Sequence, residues 1–419
     1  MIKILILGGG FGGIRCALDL ERKFAMSLSK NEAEITLIDR NSYHLFTPAI
    51  YEVASAYGIK KDAFAVQLKK TVCIPYADIF TGKKINFLAG EIVDVNLISK
   101  RVMTRGGRVL EYDHLVIGLG SEVYDYNIPG VTEYAYQFKN LSDALLINQK
   151  LEELSEQFVG GQRTEPFSFI ICGGGFTGVE LAAELGCCSG AIKQKCKLKG
   201  RCSTISLFEA GPKILPAITE KERKIVKQRL TKLGVIIMEN AIIEEVSSNS
   251  VKLKNGQKVE GDLVIWTAGI RANRMLAGID GLPLSANGKI IVESNLVVKG
   301  FDNVYGIGDS IEFIDPENQR QIPGLAYIAI DEGKIAAKNI YNRVYKKKLQ
   351  SYKPFYGVYV LPVGGKYAIS HLFGGVMIKG FLGWLGRVAI DIRYFLSILP
   401  VQKAFKLYWE EVSIFLKND

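Results

Sequence analysis

The chain has 419 residues, 48% hydrophobic and 23% charged, which excludes a disordered or fibrous protein and asks for more than one core. The net charge of +10 is confined to the end: Lys334 to Asp419 holds 14 Lys/Arg against 4 Asp/Glu, and the rest is neutral. That asymmetry calls for an anionic partner at the end of the chain, nucleic acid or a membrane surface, rather than a protein basic throughout. The longest stretch without a charged side chain, Pro166–Val179, has 14 residues, short of the roughly 18–20 that span a bilayer, so no transmembrane helix is expected. No signal or transit peptide is expected ahead of the strand-like run that starts at Ile2. Seven cysteines, an odd number in a large chain, point to a reducing compartment.

In chain order, the apolar run Ile2–Leu7 breaks into Gly8-Gly9-Gly10-Phe11-Gly12-Gly13, then a helical pattern follows through Ile14, Ala17, Leu18 and Leu20. A second apolar run, Ile35–Ile38, ends on Asp39. Hairpin-like segments come next: Val93–Val95, Arg101–Thr104 and Leu115–Ile117, with Gly106-Gly107 at one turn. The first pattern then returns. Phe169–Cys172 runs into Gly173-Gly174-Gly175-Phe176-Thr177-Gly178, a helix through Val179, Leu181, Ala182 and Leu185, and a strand Thr204–Phe208 ending on Glu209. Its first glycine lies 165 residues after Gly8. A matching hairpin set follows, Ile242–Val246, Val251–Leu253 and Leu263–Trp266, with the turn Asn255-Gly256. After about Gln350 the pattern changes to glycine-broken apolar segments and amphipathic helices.

Strand, glycine turn, helix, strand and acid is the order of a dinucleotide-binding unit. A pyrophosphate sits against backbone N–H groups at a helix N-terminus, and side chains at Gly8, Gly10 and Gly13, or at Gly173, Gly175 and Gly178, would block it. The carboxylate at the end of the second strand accepts hydrogen bonds from ribose hydroxyls, which assigns Asp39 and Glu209. They fall 26 and 31 residues after the last glycine, so the intervening helix or loop is extended. Glu209 repels a 2′-phosphate, and only Lys213 lies close after it, so NADH is favoured over NADPH. Two such sites suggest a flavin and a nicotinamide held face to face. Gly308-Asp309 fits the ribityl chain and pyrophosphate of FAD, although the dipeptide alone serves as well for a turn and helix cap.

These residues resemble the two-dinucleotide-binding-domain flavoproteins, and within them the type II, non-proton-pumping NADH:quinone oxidoreductases. The carriers are Gly8–Gly13, Asp39-Arg40, His44-Leu45-Phe46-Thr47-Pro48, Gly118-Leu119-Gly120-Ser121, Gly173–Glu184, Glu209-Ala210-Gly211-Pro212, Trp266-Thr267-Ala268-Gly269 and Gly306–Asp309. The resemblance implies FAD on Gly8, Gly10, Phe11, Gly12, Gly13, Asp39, Arg40, His44, Gly120, Gly308, Asp309 and Ala326. It implies NADH on Gly173, Gly175, Gly178, Glu209, Ala268 and Gly269. Hydride passes from nicotinamide to flavin, and two electrons then pass to a membrane quinone.

The resemblance also places Glu180 near nicotinamide and quinone, although an acid at a helix N-terminus is equally a dipole effect. It makes Lys379, before Gly380, a site residue at the quinone entrance. Where the family carries Ala-Gln-x-x-x-Gln against the flavin, this chain has Ala326-Tyr327-Ile328-Ala329-Ile330-Asp331, so Tyr327 and Asp331 replace both glutamines and the acceptor's identity is open. A disulfide reductase relative needs a Cys-x4-Cys pair that nothing after Cys16 supplies, and Ser42 or Tyr43 stands where a peroxide-reducing relative carries cysteine. A sulfide:quinone relative uses a late cysteine, and none follows Cys202.

Cys187, Cys188, Cys196 and Cys202 match no compact metal-ligand spacing, and no metal is expected. In the tail, Val401, Ala404, Phe405, Tyr408, Val412 and Phe415 recur at helical spacing through Pro400–Lys417, and Phe381, Trp384, Leu385, Val388, Ile392 and Phe395 form a second stripe edged by Lys379, Arg387 and Arg393. On composition alone these faces serve a core contact, a homodimer contact or a bilayer interface equally. The resemblance favours the membrane.

The expectation is therefore an α/β protein with two Rossmann-like domains carrying antiparallel insertions: an FAD domain (1–120 and 295–345), an NADH domain (121–294) and a C-terminal membrane-binding region (346–419). It sits peripherally on the cytoplasmic face of the cell membrane and binds quinone and anionic lipid but no nucleic acid. The alternatives are an FAD-dependent NADH reductase of a soluble electron-transfer protein, its basic tail docking an acidic partner, and a non-catalytic NADH-responsive redox sensor.

Overall fold

A computed structural model describes residues 1–56, 68–195 and 202–415; Cys196, Lys417 and the side chain of Phe415 lie outside what it describes. Ile2–Leu7, with Ile4 to Leu7 buried, pairs in parallel with Ala33–Asp39 on one side and His114–Ile117 on the other. Such continuous apolar runs suit a sheet covered on both faces. Asn86–Ala89 and Val304–Gly306 complete a five-stranded sheet. Its last strand arrives only after the whole second unit, so the first sheet is discontinuous in sequence. The second sheet repeats the plan: Phe167–Cys172 lies between Ser203–Phe208 and Leu263–Trp266, all parallel, with Tyr136–Gln137 and Val235–Met238 at the edges.

Leu115–Ile117 and Leu263–Trp266, read from sequence with the hairpins, belong to these parallel sheets. The antiparallel insertions close instead with short third strands, Val109–Glu111 and Lys258–Glu260, which the polar turns around them disguise.

The helix Phe11–Lys23 packs along the helix Ala326–Val344 at a distance that only small residues permit. A Cβ on Gly12 would lie 2.8 Å from the carbonyl oxygen of Ala329, and one on Gly333 would run into the carbonyl of Gly12. At their far ends Phe24 meets Tyr341 edge-on, with centroids 5.4 Å apart.

After Gln350 the chain forms a three-stranded antiparallel sheet (Tyr359–Pro362, Ala368–His371, Met377–Gly380) that its glycines obscured in sequence, then the helices Phe381–Ile398 and Val401–Phe415. The sheet clamps the second unit: Arg229 donates to the carbonyls of Val363 (3.2 Å) and Gly364 (3.0 Å), and Gly365 N–H donates to Glu184 (3.1 Å). The first tail helix lies on the first unit, where Phe395 packs against Phe46 and Arg15 donates to the carbonyl of Ser397 (3.2 Å).

Arg387 departs from its expected place at a lipid border. It is buried, paired with Glu52 (2.6 Å) and Asp391 (3.3 Å), and its guanidinium lies over the Tyr51 ring at 5.1 Å. The buried face of this helix thus runs through Gly383, Arg387, Asp391 and Phe395. Lys403 pairs with Asp78 of the first unit (2.6 Å) while remaining partly exposed.

Removing one member of a buried ion cluster leaves the others charged without compensation. Arg387→Met is therefore expected to cost about 3–5 kcal/mol in chemical denaturation, while Arg393→Met, exposed on the same helix, is expected to cost less than about 0.5 kcal/mol.

Candidate functional site

Two glycine loops, built alike, define the site. Gly8 and Gly173 take left-handed backbone angles (φ 100° and 119°), which a side chain disfavours. A Cβ on Gly13 would strike the carbonyl oxygen of Gly8, and one on Gly178 that of Gly173. Both positions are therefore fixed by the chain's own packing. Gly10 and Gly175 differ: a Cβ there would meet no atom within 4 Å. These two positions face open space at the start of their helices, where backbone N–H groups stand free for an anion. The loops fit a pyrophosphate for this reason.

The acids are equally matched. Asp39 accepts from Gly9 N–H (2.7 Å) and Asn41 N–H (2.8 Å). Glu209 accepts from Gly174 N–H (2.8 Å) and Gly211 N–H (2.7 Å). Each carboxylate is thereby aimed beside the open glycine and keeps lone pairs for ribose hydroxyls. Arg40, the next residue after Asp39, is exposed.

Other first-unit candidates fall into three settings. Gly120 (φ 71°) is open like Gly10, and its N–H donates to Ser310 Oγ (2.7 Å). Asp309 accepts from Ser121 Oγ (2.6 Å), with Lys139 3.6 Å away, while Ala326 opens a helix whose N-cap, Leu325, gives no side-chain cap. Gly12, Phe11 and His44 form the supporting side. Gly12 makes the close contact with Ala329, and Phe11 stacks edge-on against His44, at 4.8 Å between centroids.

His44, expected to touch the cofactor, is instead buried behind the loop. Nδ1 lies 3.1 Å from the Gly9 carbonyl, and Nε2 lies 2.8 Å from the Tyr394 hydroxyl of the tail helix. With both ring nitrogens engaged it braces the loop, and burial pulls its pKa down to about 4, so the ring is neutral.

In the second unit Gly173 makes room for Ala268, whose Cα would stand 2.6 Å from an added Cβ, and Thr267 Oγ1 donates to the carbonyl of Cys172 (2.9 Å). Gly269 lies under the ring of Tyr126. Glu180, on the glycine helix, has no hydrogen-bond or ion-pair partner among the described residues, and desolvation pushes its carboxyl up to about 8. Tyr327 and Asp331 stand one turn apart on a half-covered helix face, with Asp331 paired to Lys334 (2.7 Å). Burial and the Asp331 charge hold the Tyr327 hydroxyl above its usual range. Lys379 is exposed on the third tail strand, paired in register with Ile369. No hydrogen bond or ion pair joins Glu180, Tyr327, Asp331 and Lys379 to one another among the described residues.

Glu332 escaped the sequence reading. It is fully buried, accepts from the N–H of Gly308 (2.5 Å), and burial lifts its carboxyl to about 8. Its signal is an acid on the apolar side of the helix, between Ile328 and Ala336. Lys139 and Tyr394 carry no such signal, because their contacts come from remote segments. Among the described cysteines Cys16, Cys73, Cys172, Cys188 and Cys202 are buried and Cys187 is partly covered, and no group of described residues is arranged to hold a metal.

Two Rossmann-type units with matched open glycines and terminal acids define a protein that binds two dinucleotides. Residues 2–333 match the family described as pyridine nucleotide-disulphide oxidoreductase, and the chain belongs to it. A curated relative from Haemophilus influenzae, named a type II NADH:quinone oxidoreductase, is 29% identical, covering 84% of this chain and 83% of that one. A protein of the same name from Staphylococcus saprophyticus is 26% identical over 96% of this chain and 98% of its own. Among solved structures, NDH2 from Plasmodium falciparum in complex with NADH shares the fold at a TM-score of 0.82 and 20% identity, covering 99% and 98% of the two chains.

The contrast between open and closed glycines is testable. Gly10→Val, at an extended position with empty space beside it, is expected to purify without flavin and to match the thermal midpoint of flavin-stripped wild type. Gly13→Val, forced against the Gly8 carbonyl, is expected to lose roughly 1–3 kcal/mol of stability or more. Flavin content and thermal midpoint, measured together, separate the two effects.

Proposed function

We propose that the chain is a type II NADH:quinone oxidoreductase, with FAD on the first unit, NADH on the second and a membrane quinone as acceptor. The observation that carries this is the pair of open seats at Gly10 and Gly175, each flanked by a ribose-binding acid. Bound FAD supplies the hydride-accepting, two-electron chemistry. The balance is NADH plus one proton plus quinone giving NAD⁺ plus quinol, with no proton moved across the membrane. The FAD domain comprises 1–120 and 295–345, the NADH domain 121–294 and the membrane region 346–419.

In the first unit Gly10 and Gly120 leave the backbone open and Gly308 stays partly exposed, Gly8 sets the turn against the Gly118 carbonyl, and Asp39, Arg40 and Asp309 supply polar groups. In the second, Gly173, Gly175 and Gly178 shape the pyrophosphate seat, Glu209 selects the unphosphorylated ribose, and Ala268 and Gly269 form the opposite edge. Glu180 is assigned the proton for the quinone, because its raised pKa keeps it neutral and able to donate at physiological pH. Tyr327 and Asp331 take the place of amide side chains at the acceptor side, and Lys379 stands at its entrance.

The foot rests on what the tail helices leave uncovered. Phe381, Leu382 (66% exposed), Leu385 and Ile390 project from the first, and Val401, Phe405 and Trp409 (72% exposed) from the second. Trp409, rather than Tyr408, continues the line begun by Val401 and Phe405. Lys379, Arg393 and Lys406 are exposed beside them. Apolar and aromatic faces with cations at the border suit a bilayer interface with anionic lipid, on the cytoplasmic side. No helix among the described residues is long and apolar enough to cross a membrane. A homodimer through the same face is the competing use.

The enzyme reading is tested by mixing the flavin-loaded protein anaerobically with NADH and then with a short-chain quinone. Bleaching and then recovery of flavin absorbance are expected, and a flavin that NADH leaves coloured contradicts the proposal. Bleaching that only a soluble electron-transfer protein reverses gives the acceptor to that alternative.

Quinone-reductase kcat is expected to fall as pH rises through about 8, where Glu180 loses its proton. Glu180→Gln is expected to lower kcat and to abolish that descending limb. In liposome flotation, the double substitution Phe405→Asp with Trp409→Asp is expected to leave the protein at the bottom of the gradient while NADH oxidation with a soluble dye persists. If the variant floats with the vesicles, this face is not the anchor.

A further inference from the structure

The segment that joins the two units carries an unusual residue. Ser121–Val123 pairs antiparallel with Ile270–Ala272, and the zipper continues inward: Tyr124 N–H donates to the carbonyl of Gly269 (3.0 Å), and Trp266 Nε1 donates to the carbonyl of Tyr124 (2.9 Å). Just beyond, Tyr126 and Asn127 both take left-handed backbone angles, φ 53° and 55°. Asparagine tolerates this conformation, but a bulky aromatic rarely adopts it. Asp125 holds the turn in place by accepting from Asn127 N–H (3.1 Å) and the Thr132 hydroxyl (2.9 Å).

The turn gains no core burial in return, since Tyr126 is 53% exposed. What it does is lay the phenol ring over Gly269. A Cβ on Gly269 would sit 2.5 Å from Tyr126 Cε2 and 2.8 Å from its hydroxyl oxygen, which itself lies 3.5 Å from the carbonyl of Ala268. Ala268 in turn fills the gap left by Gly173. One chain of close contacts therefore runs from Tyr126 through Gly269 and Ala268 to the loop that carries the open seat at Gly175. The ring of Tyr124, 4.5 Å away, backs Tyr126, and Arg271 lies over Tyr124 at 5.4 Å.

We propose that Tyr126 is a positioning residue for the nicotinamide nucleotide: its strained turn holds the Ala268–Gly269 edge of the second site in the shape the nucleotide requires. This rests on the NADH reading of that site. Gly269 has no left-handed angle of its own, and the three atoms nearest to an alanine Cβ there all belong to the Tyr126 ring. That gives a test in which two substitutions report on one contact.

Wild type, Tyr126→Ala, Tyr126→Phe, Gly269→Ala and the Tyr126→Ala/Gly269→Ala double variant are titrated with NADH anaerobically by flavin bleaching. Steady-state constants and thermal midpoints are recorded alongside. Tyr126→Ala is expected to raise the Kd and KM for NADH on the order of tenfold, with kcat at saturating NADH and the quinone KM within about twofold of wild type. Tyr126→Phe is expected to restore most of the affinity, because the ring contact persists. Gly269→Ala is expected to weaken NADH binding alone and to add nothing in the Tyr126→Ala background. A wild-type flavin that NADH fails to bleach overturns both this inference and the function it rests on. A bleached wild type with unchanged Kd in Tyr126→Ala, additive effects in the double variant, or equal rises in the NADH and quinone KM overturns this inference alone.

Discussion

Everything in the molecule depends on how closely a helix can begin behind a strand. At Gly13 and Gly178 the first helical turn closes onto the carbonyl of the loop's opening glycine, at a separation that no Cβ allows. That contact fixes the turn, and the fixed turn leaves one position per loop, Gly10 and Gly175, facing open space with backbone N–H groups around it. The acids at the strand ends then tie down the intervening glycine, Gly9 or Gly174, and are held beside the seat. Sheet, helix and carboxylate are thus coupled through a few ångströms of backbone, and the same solution appears twice because the same geometric demand appears twice.

The C-terminal region makes one object of the two units. Its sheet grips the second glycine helix where Gly365 N–H donates to Glu184, and the helix Glu220–Lys232 through Arg229 on the Gly364 carbonyl, and its first helix reaches over the first unit to Phe46, Glu52 and His44. Tyr394 hydrogen-bonds His44, and His44 sits against the Gly9 carbonyl, so a tail residue lies two contacts from the first glycine loop. The positive excess divides accordingly. Arg387 and Lys403 are consumed in holding the tail to the body, and Lys379, Arg393 and Lys406 remain at the surface with the uncovered aromatic and aliphatic side chains.

Both glycine loops and both acids were legible in the sequence because their spacing encodes local geometry, and strand, turn and helix are written within about thirty consecutive residues. The facing of the tail helices was not. An arginine reads as a surface residue unless its partner is known, and Glu52 lies far away in the chain, so Arg387 and Asp391 turn inward while Phe381 and Leu385 of the expected stripe stay outside. Trp409 was passed over in favour of Tyr408 for the same reason: with apolar residues on more than one side, periodicity alone does not say which side meets protein. His44 was expected at the cofactor, and its contacts with the Gly9 carbonyl and Tyr394, both remote in sequence, put it on the inner side of the loop. Glu332 had a signal, an acid in an apolar helix stripe. Tyr126 had none, since its left-handed angle is a tertiary outcome.

The central claim is that two like-built loops hold two different dinucleotides facing one another. Its most direct test is a crystal structure of the flavin-loaded protein soaked with NAD⁺. FAD with its pyrophosphate over Gly10 and Phe11, and NAD⁺ with its pyrophosphate over Gly175 and Phe176 and its ribose on Glu209, is the predicted result. FAD on the second loop, or NAD⁺ bound away from Gly175 at full occupancy, would contradict it.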